Sequence, residues 1–140
     1  MDDPNLIGKT KATLKFHSSL EDVSETEWNS LTDGNPFVSY GFLRNLESHN
    51  CLGPQGWEPR HVTLRSRKGQ LLGAMPLYLR SNSYGEFVFD WAWADAYERA
   101  GGQYYPKLVT ASPFSPVSGP RLLARATKEE ATLAKKTLIS

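Results

Sequence analysis

Between Asp90 and Lys107 the sequence DWAWADAYERAGGQYYPK gathers most of the side chains able to do chemistry. Asp90, Asp95 and Glu98 put three carboxylates within nine residues. A carboxylate raised toward neutrality can take a proton from an attacking amine, which makes Asp90 and Glu98 candidate bases. The plainer assignment makes Asp90 a helix cap, pairs Asp95 with Arg99 at i, i+4 and leaves Glu98 solvated. Tyr105 can donate a proton or orient an acceptor, and Lys107 can meet a phosphate as a point charge. Trp91 and Tyr104 offer a platform for a sugar, base or peptide. Helical spacing gives Trp91, Trp93 and Tyr97 a simpler role as core anchors, since large rings bury much area.

A second candidate region is SPVSGPR, from Ser115 to Arg121. Ser118, Gly119 and Arg121 precede a helical pattern, where free backbone amides can hold an anion. Gly119 permits close backbone approach, and Arg121 can make a bidentate phosphate contact. His17, His49, His61 and Cys51 show no metal-ligand spacing, so no metal site is expected. Arg65, Arg67 and Lys68 sit at a hairpin tip without interleaved aromatics, and the net charge is only +1, so no DNA partner is expected. One cysteine excludes an internal disulfide and fits a reducing compartment, cytoplasmic or organellar. No apolar run approaches the ~20 residues of a membrane span.

The chain of 140 residues suits one domain. Residues 1–11 read as a mobile leader and residues 12–140 as the domain. Alternation in ATLKFH predicts a half-buried strand. Ser24 and Glu27 form a capping box with Val23 and Trp28 as its staple, which starts a short helix. Ser39 caps a second helix whose Phe42, Leu43 and Leu46 face inward. The stretch WEPRHVTLRSRKGQLLGAMPLYLRS predicts a hairpin that turns at Arg67–Gln70. Its second strand, Leu71 to Leu79, is apolar on nearly both faces and should be central. Pro76 cannot donate to a ladder, so a bulge is expected there. The segment EFVF reads as extended, and Trp91 to Ala100 as helix ended by Gly101 and Gly102. Extended chain resumes at Tyr104, and a last helix follows a Thr127/Glu130 capping box, with Ala131, Ala134 and Leu138 on one side. The order is β-α-α-β-β, an aromatic helical insertion, then β-α, an α/β (α+β) class. No capping signal closes the last helix, so the sequence reads as the N-terminal part of a longer chain.

Four segments, NPFVSYGFLRNLE, GWEPRH, PLYLRSNSYGEFVFDWAWADAYERAGGQYYPKL and PFSPVSGPRLL, resemble the FemAB-like proteins. That family is tied to peptidoglycan biosynthesis or recognition and sits within the GNAT acyl-CoA N-acyltransferase superfamily. The resemblance runs from about Trp28 to Leu123. It implies a partial GNAT-like fold and transfer of an acyl or aminoacyl group to an amine acceptor, from a small-molecule or tRNA-linked donor. It also implies a C-terminal half missing from this chain. GNAT enzymes that bind acetyl-CoA grip its pyrophosphate with an R/Q-x-x-G-x-G/A loop. Here SPVSGPR occupies the comparable place, with one glycine. No tightly bound cofactor is therefore expected, and acyl-CoA enters only as a donor substrate. The rival expectation is a non-catalytic module that recognises a glycan, peptide or protein.

Overall fold

The structure is a computed structural model that describes residues 12–84, 86, 90–125 and 128–139. The leader at 1–11, the extended reading of Phe87–Phe89 and the Thr127/Glu130 box lie outside the described residues.

The chain opens with strand β1 (Ala12–His17) and reaches helix α1 (Glu25–Asn29) through a 3-10 turn at Leu20–Asp22. Ser24 caps α1 as its side chain accepts from the Glu27 N–H at 3.4 Å. Val23 and Trp28 are both buried in one cluster, as a staple requires. Helix α2 (Tyr40–Ser48) starts at Ser39, which accepts from the Phe42 N–H at 3.3 Å. Leu43 is its fully buried residue, with Phe42 and Leu46 partly buried beside it. A 3-10 turn at Gly53–Gln55 leads into β2 (Trp57–Pro59) and β3 (His61–Ser66), then β4 (Leu71–Met75) and β5 (Leu77–Arg80). Helix α3 (Trp91–Arg99), β6 (Lys107–Thr110), β7 (Leu123–Ala124) and α4 (Lys128–Ile139) complete the described elements.

All pairing is antiparallel, in two sheets of order β1-β3-β4-β7 and β2-β5-β6. The long apolar strand expected from Leu71 to Leu79 is thus central, but in both sheets in turn. Pro76 does not sit in a bulge. It separates β4 from β5, and Arg60 separates β2 from β3 at the same level. Both strands of the hairpin change sheets there, which suits a residue that cannot donate to a ladder. The irregularity in register falls instead between Leu64 and Arg65, so that Leu64 pairs Gly73 while Arg65 pairs Leu71.

Helices α1 and α2 cover one face of the first sheet, where Trp28, Leu20, Leu43 and Leu71 are buried together. Trp28 donates its Nε1–H to the Val38 carbonyl at 2.9 Å, so the indole is buried without an orphaned donor. Helix α4 covers the other face with Ala134 and Leu138 against Val62 and Leu64. Gly73 allows this approach: a Cβ there would lie 3.1 Å from the Ala134 Cβ and 3.2 Å from the Leu123 carbonyl oxygen.

Candidate functional site

A cleft of about 910 Å³ opens between the C-terminal half of α2, the turn at Gly53–Gln55, strand β2 and the Tyr105–Pro106 segment. Leu52, Trp57, Leu79 and Pro106 give it apolar walls, and Arg44, Glu47 and Ser81 supply polar groups. Glu47 lies four residues after Leu43, so the helix turns its carboxylate inward. Its side chain is only 7% exposed. It accepts from His61 Nε2 at 2.7 Å, Ser19 Oγ at 2.9 Å and the Leu20 N–H at 3.0 Å. Burial pushes its pKa up, but the donors from His61, Ser19 and Leu20 outweigh it and hold the carboxyl below its ordinary range. His61 is fully buried, and its Nδ1 accepts from the Leu77 N–H at 3.3 Å. The Nε2 nitrogen therefore donates to Glu47, while the Nδ1 lone pair is engaged by the Leu77 N–H.

A charged cluster grows from the register of the second sheet. Trp57 opposes Arg80, and Arg80 opposes Lys107. Two cations facing each other across a strand pair repel. Glu86 resolves this by accepting from Arg80 Nε at 2.9 Å with one oxygen and from Lys107 Nζ at 2.7 Å with the other. Arg80 is fully buried, stacks 4.0 Å above the Trp57 ring and donates to the Gln55 carbonyl at 2.6 Å. Lys107 also donates to Ser83 Oγ at 2.9 Å and to Asp90 Oδ2. Tyr104 donates to the same Asp90 oxygen at 2.7 Å, and Tyr105 shares a 2.6 Å bond with Ser83. Burial raises the Asp90 pKa, but hydrogen bonds from Lys107, Ser83 and Tyr104 reverse that and bring it down to about 2. The Lys107 ammonium loses solvation, yet Asp90 and Glu86 raise its pKa above the ordinary value. Bonding to Asp90 raises the Tyr104 hydroxyl in turn. A carboxylate so stabilised is a weak base at neutral pH, and an ammonium so paired is a weak nucleophile.

A second cavity of about 600 Å³ lies under the loop after β6 and is lined by Val109, Phe114, Ser118 and Arg121, with Glu86 and Trp57 at its wall. Trp57 lines both cavities. It is buried between Tyr78, at a ring distance of 5.3 Å, and Phe114, at 5.5 Å, and its Nε1–H has no hydrogen-bond partner among the described residues.

The structure thus brings Asp90, Tyr104, Tyr105 and Lys107 into one cluster and sets Ser118 and Arg121 beside another cavity. Lys107 joins the acids rather than the loop. Gly119 is turned toward the body: a Cβ there would lie 2.8 Å from Asn35 Nδ2. Glu98 is exposed on α3. Asp90 makes no capping bond, because Lys107 and Tyr104 engage its carboxylate. Asp95 and Arg99 do pair. The core-anchor reading of Trp91, Trp93 and Tyr97 is overturned: all three are exposed, and Ala94 is the buried residue of α3. Trp91 meets Tyr84 edge to face, and Tyr104 meets Tyr97 and Tyr105 in the same way. Sequence reasoning missed Glu47, His61, Trp57 and Arg80. A carboxylate on the apolar stripe of α2 was the one local signal for Glu47.

Fold and site together define a mixed α+β protein with a large half-apolar cleft beside a paired ionic cluster, in which Asp90 Oδ1 alone has no partner among the described residues. No helix among the described residues is long and apolar enough to cross a membrane, and no group of acids, histidines or cysteines among them could hold a metal ion. The FemAB-like family, described as peptidoglycan biosynthesis/recognition, matches residues 19–140, and the chain belongs to it. Neither a curated protein nor a solved structure matches the chain.

Proposed function

We propose that this protein takes part in N-acyl or aminoacyl transfer from an activated donor to an amine, and that the amine is received in the cleft beside Glu47. The observation that carries this reading is an ionised, nearly buried carboxylate in the wall of a cleft of about 910 Å³. An ammonium would compete for this carboxylate with Arg44, whose Nη1 lies 4.0 Å from Glu47 Oε2, while Trp57, Leu79 and Pro106 fit the apolar part of its carrier. The family's link to peptidoglycan supports an amine-bearing cell-wall fragment as acceptor. Acyl-CoA and aminoacyl-tRNA are the two donor classes. The α+β element order supports the GNAT-type domain that goes with such chemistry. Since Asp90 is a weak base and His61 is locked, catalysis rests on positioning the reactants rather than on a proton relay.

The alternative, a binding module without catalysis, is favoured by one observation: every cation and acid in the Lys107 cluster already has a partner.

The two separate in a transfer assay with labelled acyl-CoA or charged tRNA and an amine-bearing muropeptide, read by mass spectrometry. Transfer should fall at least roughly tenfold in Glu47→Gln, the loss of one charge-assisted contact. Ser81→Trp, at an exposed wall residue that leaves the core untouched, should block the same step. Binding of the muropeptide without transfer from either donor would leave the binding module standing. Transfer unchanged in both variants would remove the cleft from the reaction.

A further inference from the structure

We propose that the second cavity binds the carboxylate of a small amphiphilic ligand, such as the C-terminal end of a short peptide. The argument starts from a buried donor without an acceptor. Trp57 is 2% exposed, and its Nε1–H has no partner among the described residues, although the side chain lines this cavity of about 600 Å³. Orphaned buried N–H groups are rare and costly, and they call for an acceptor. An indole nitrogen can only donate.

Ser112 and Ser115, also at the wall, give their hydroxyl protons to the Phe37 and Pro113 carbonyls at 2.8 and 3.2 Å, which leaves Arg121 as the charged donor there. Arg121 gives Nη2 to the Val117 carbonyl at 2.7 Å and Nη1 to the Pro120 carbonyl at 3.3 Å. A guanidinium has five N–H groups, so donors remain. Ser118 adds a hydroxyl. Glu86 is the one acid at the wall, and each of its oxygens is already engaged, one by Arg80 and one by Lys107. Arg80 and Lys107 balance Glu86 and Asp90, which leaves the Arg121 charge in excess.

A single excess cation with neutral donors matches a monoanion. Guanidinium and carboxylate fit as a two-pronged pair. A phosphate dianion would bring a second charge next to Glu86 with nothing to offset it. Val109 and Phe114 supply apolar wall for the rest of the ligand, and the volume falls within the ~300–1,000 Å³ of small-molecule sites. The inference needs binding only. It stands or falls separately from amine transfer, which involves the other cavity.

The test is proton–nitrogen NMR of the labelled protein with three probes: N-acetyl-alanyl-alanine, its C-terminal amide and inorganic phosphate. Trp57→Phe identifies the Trp57 indole signal by its loss. The acid should move that signal and bind at least roughly tenfold more tightly than the amide, as expected for a charge-assisted contact. Arg121→Gln, on a half-exposed loop residue, should erase the preference while the other indole signals stay in place. Equal binding of acid and amide, tighter binding of phosphate, or no movement of the Trp57 signal with any probe would overturn the assignment.

Discussion

The body of the protein and helix α3 use the same side chains in opposite settings. Trp28 is fully buried and Trp57 2% exposed, whereas Trp91 and Trp93 are 44% and 76% exposed. The body tryptophans meet surfaces on several sides. Trp28 has the Val38 carbonyl at its N–H and His61 at its ring edge, and Trp57 has Arg80, Tyr78 and Phe114 around it. Helix α3 buries only Ala94 and is held at its root by charge, from Asp90 to Lys107 and Tyr104. Large rings are therefore no guide to the core by themselves. What decides burial is whether another element lies opposite.

This contrast can be broken in order of expected effect. Trp28→Ala should cost about 3 to 5 kcal/mol in urea denaturation, the range for a large buried aromatic. A loss comparable to that of a surface change would mean the body packs no more tightly than α3. Lys107→Met should cost roughly 1 to 3 kcal/mol, because Glu86 and Asp90 lose a buried donor. It should also release α3, seen as faster amide exchange from Trp91 to Arg99 than in the body. Uniform exchange across both would deny that charge anchors the helix.

Acid should separate the two regions by pH. Burial lowers the His17 pKa below its ordinary 6.5, with Lys15 pushing the same way. The unfolded chain then takes up a proton first, so stability is lost as pH falls from about 6.5. Asp90 is held at about 2 against an ordinary 3.8, so its contribution is full above that value and fades as pH falls toward 2. His17→Gln should flatten the upper step and Asp90→Asn the lower one, in denaturant midpoints measured across pH. One step, moved by both variants alike, would tie the regions together. Smallest of all, Trp93→Ala should change stability by no more than about 0.5 kcal/mol, as for surface positions generally. A larger loss would give Trp93 a partner that its exposure denies.

Local signals in the sequence proved readable where local physics decides the outcome. The Ser24 and Ser39 caps and the turn between Ser66 and Leu71 depend on near neighbours in the chain. The strand at Ala12–His17 forms as expected, but it is not half-buried on its apolar side: Leu14 and Phe16 are 40% and 59% exposed and His17 is its buried residue. The sheet change at Pro76 was half legible, since a missing donor announces a break but not where the strand goes next. The inward face of α3 was not legible, because Trp91 and Trp93 lie about 200° apart on a helix and nothing local says which side meets the body. The Glu47–His61 pair joins residues 14 apart, and Arg80 reaches the Gln55 carbonyl 25 residues away. Such contacts arise from sheet register and leave no spacing to recognise.

The break at Pro76 reaches further than topology. It frees the Leu77 N–H from the strand ladder, and His61 Nδ1 accepts it. The ring proton is thereby fixed on Nε2, pinned to Glu47 inside a fully buried side chain. In heavy water that proton is replaced when local opening exposes the ring or its Glu47 partner. The His61 ring is thus a clock at the junction of the two sheets, and its deuteration rate times that opening.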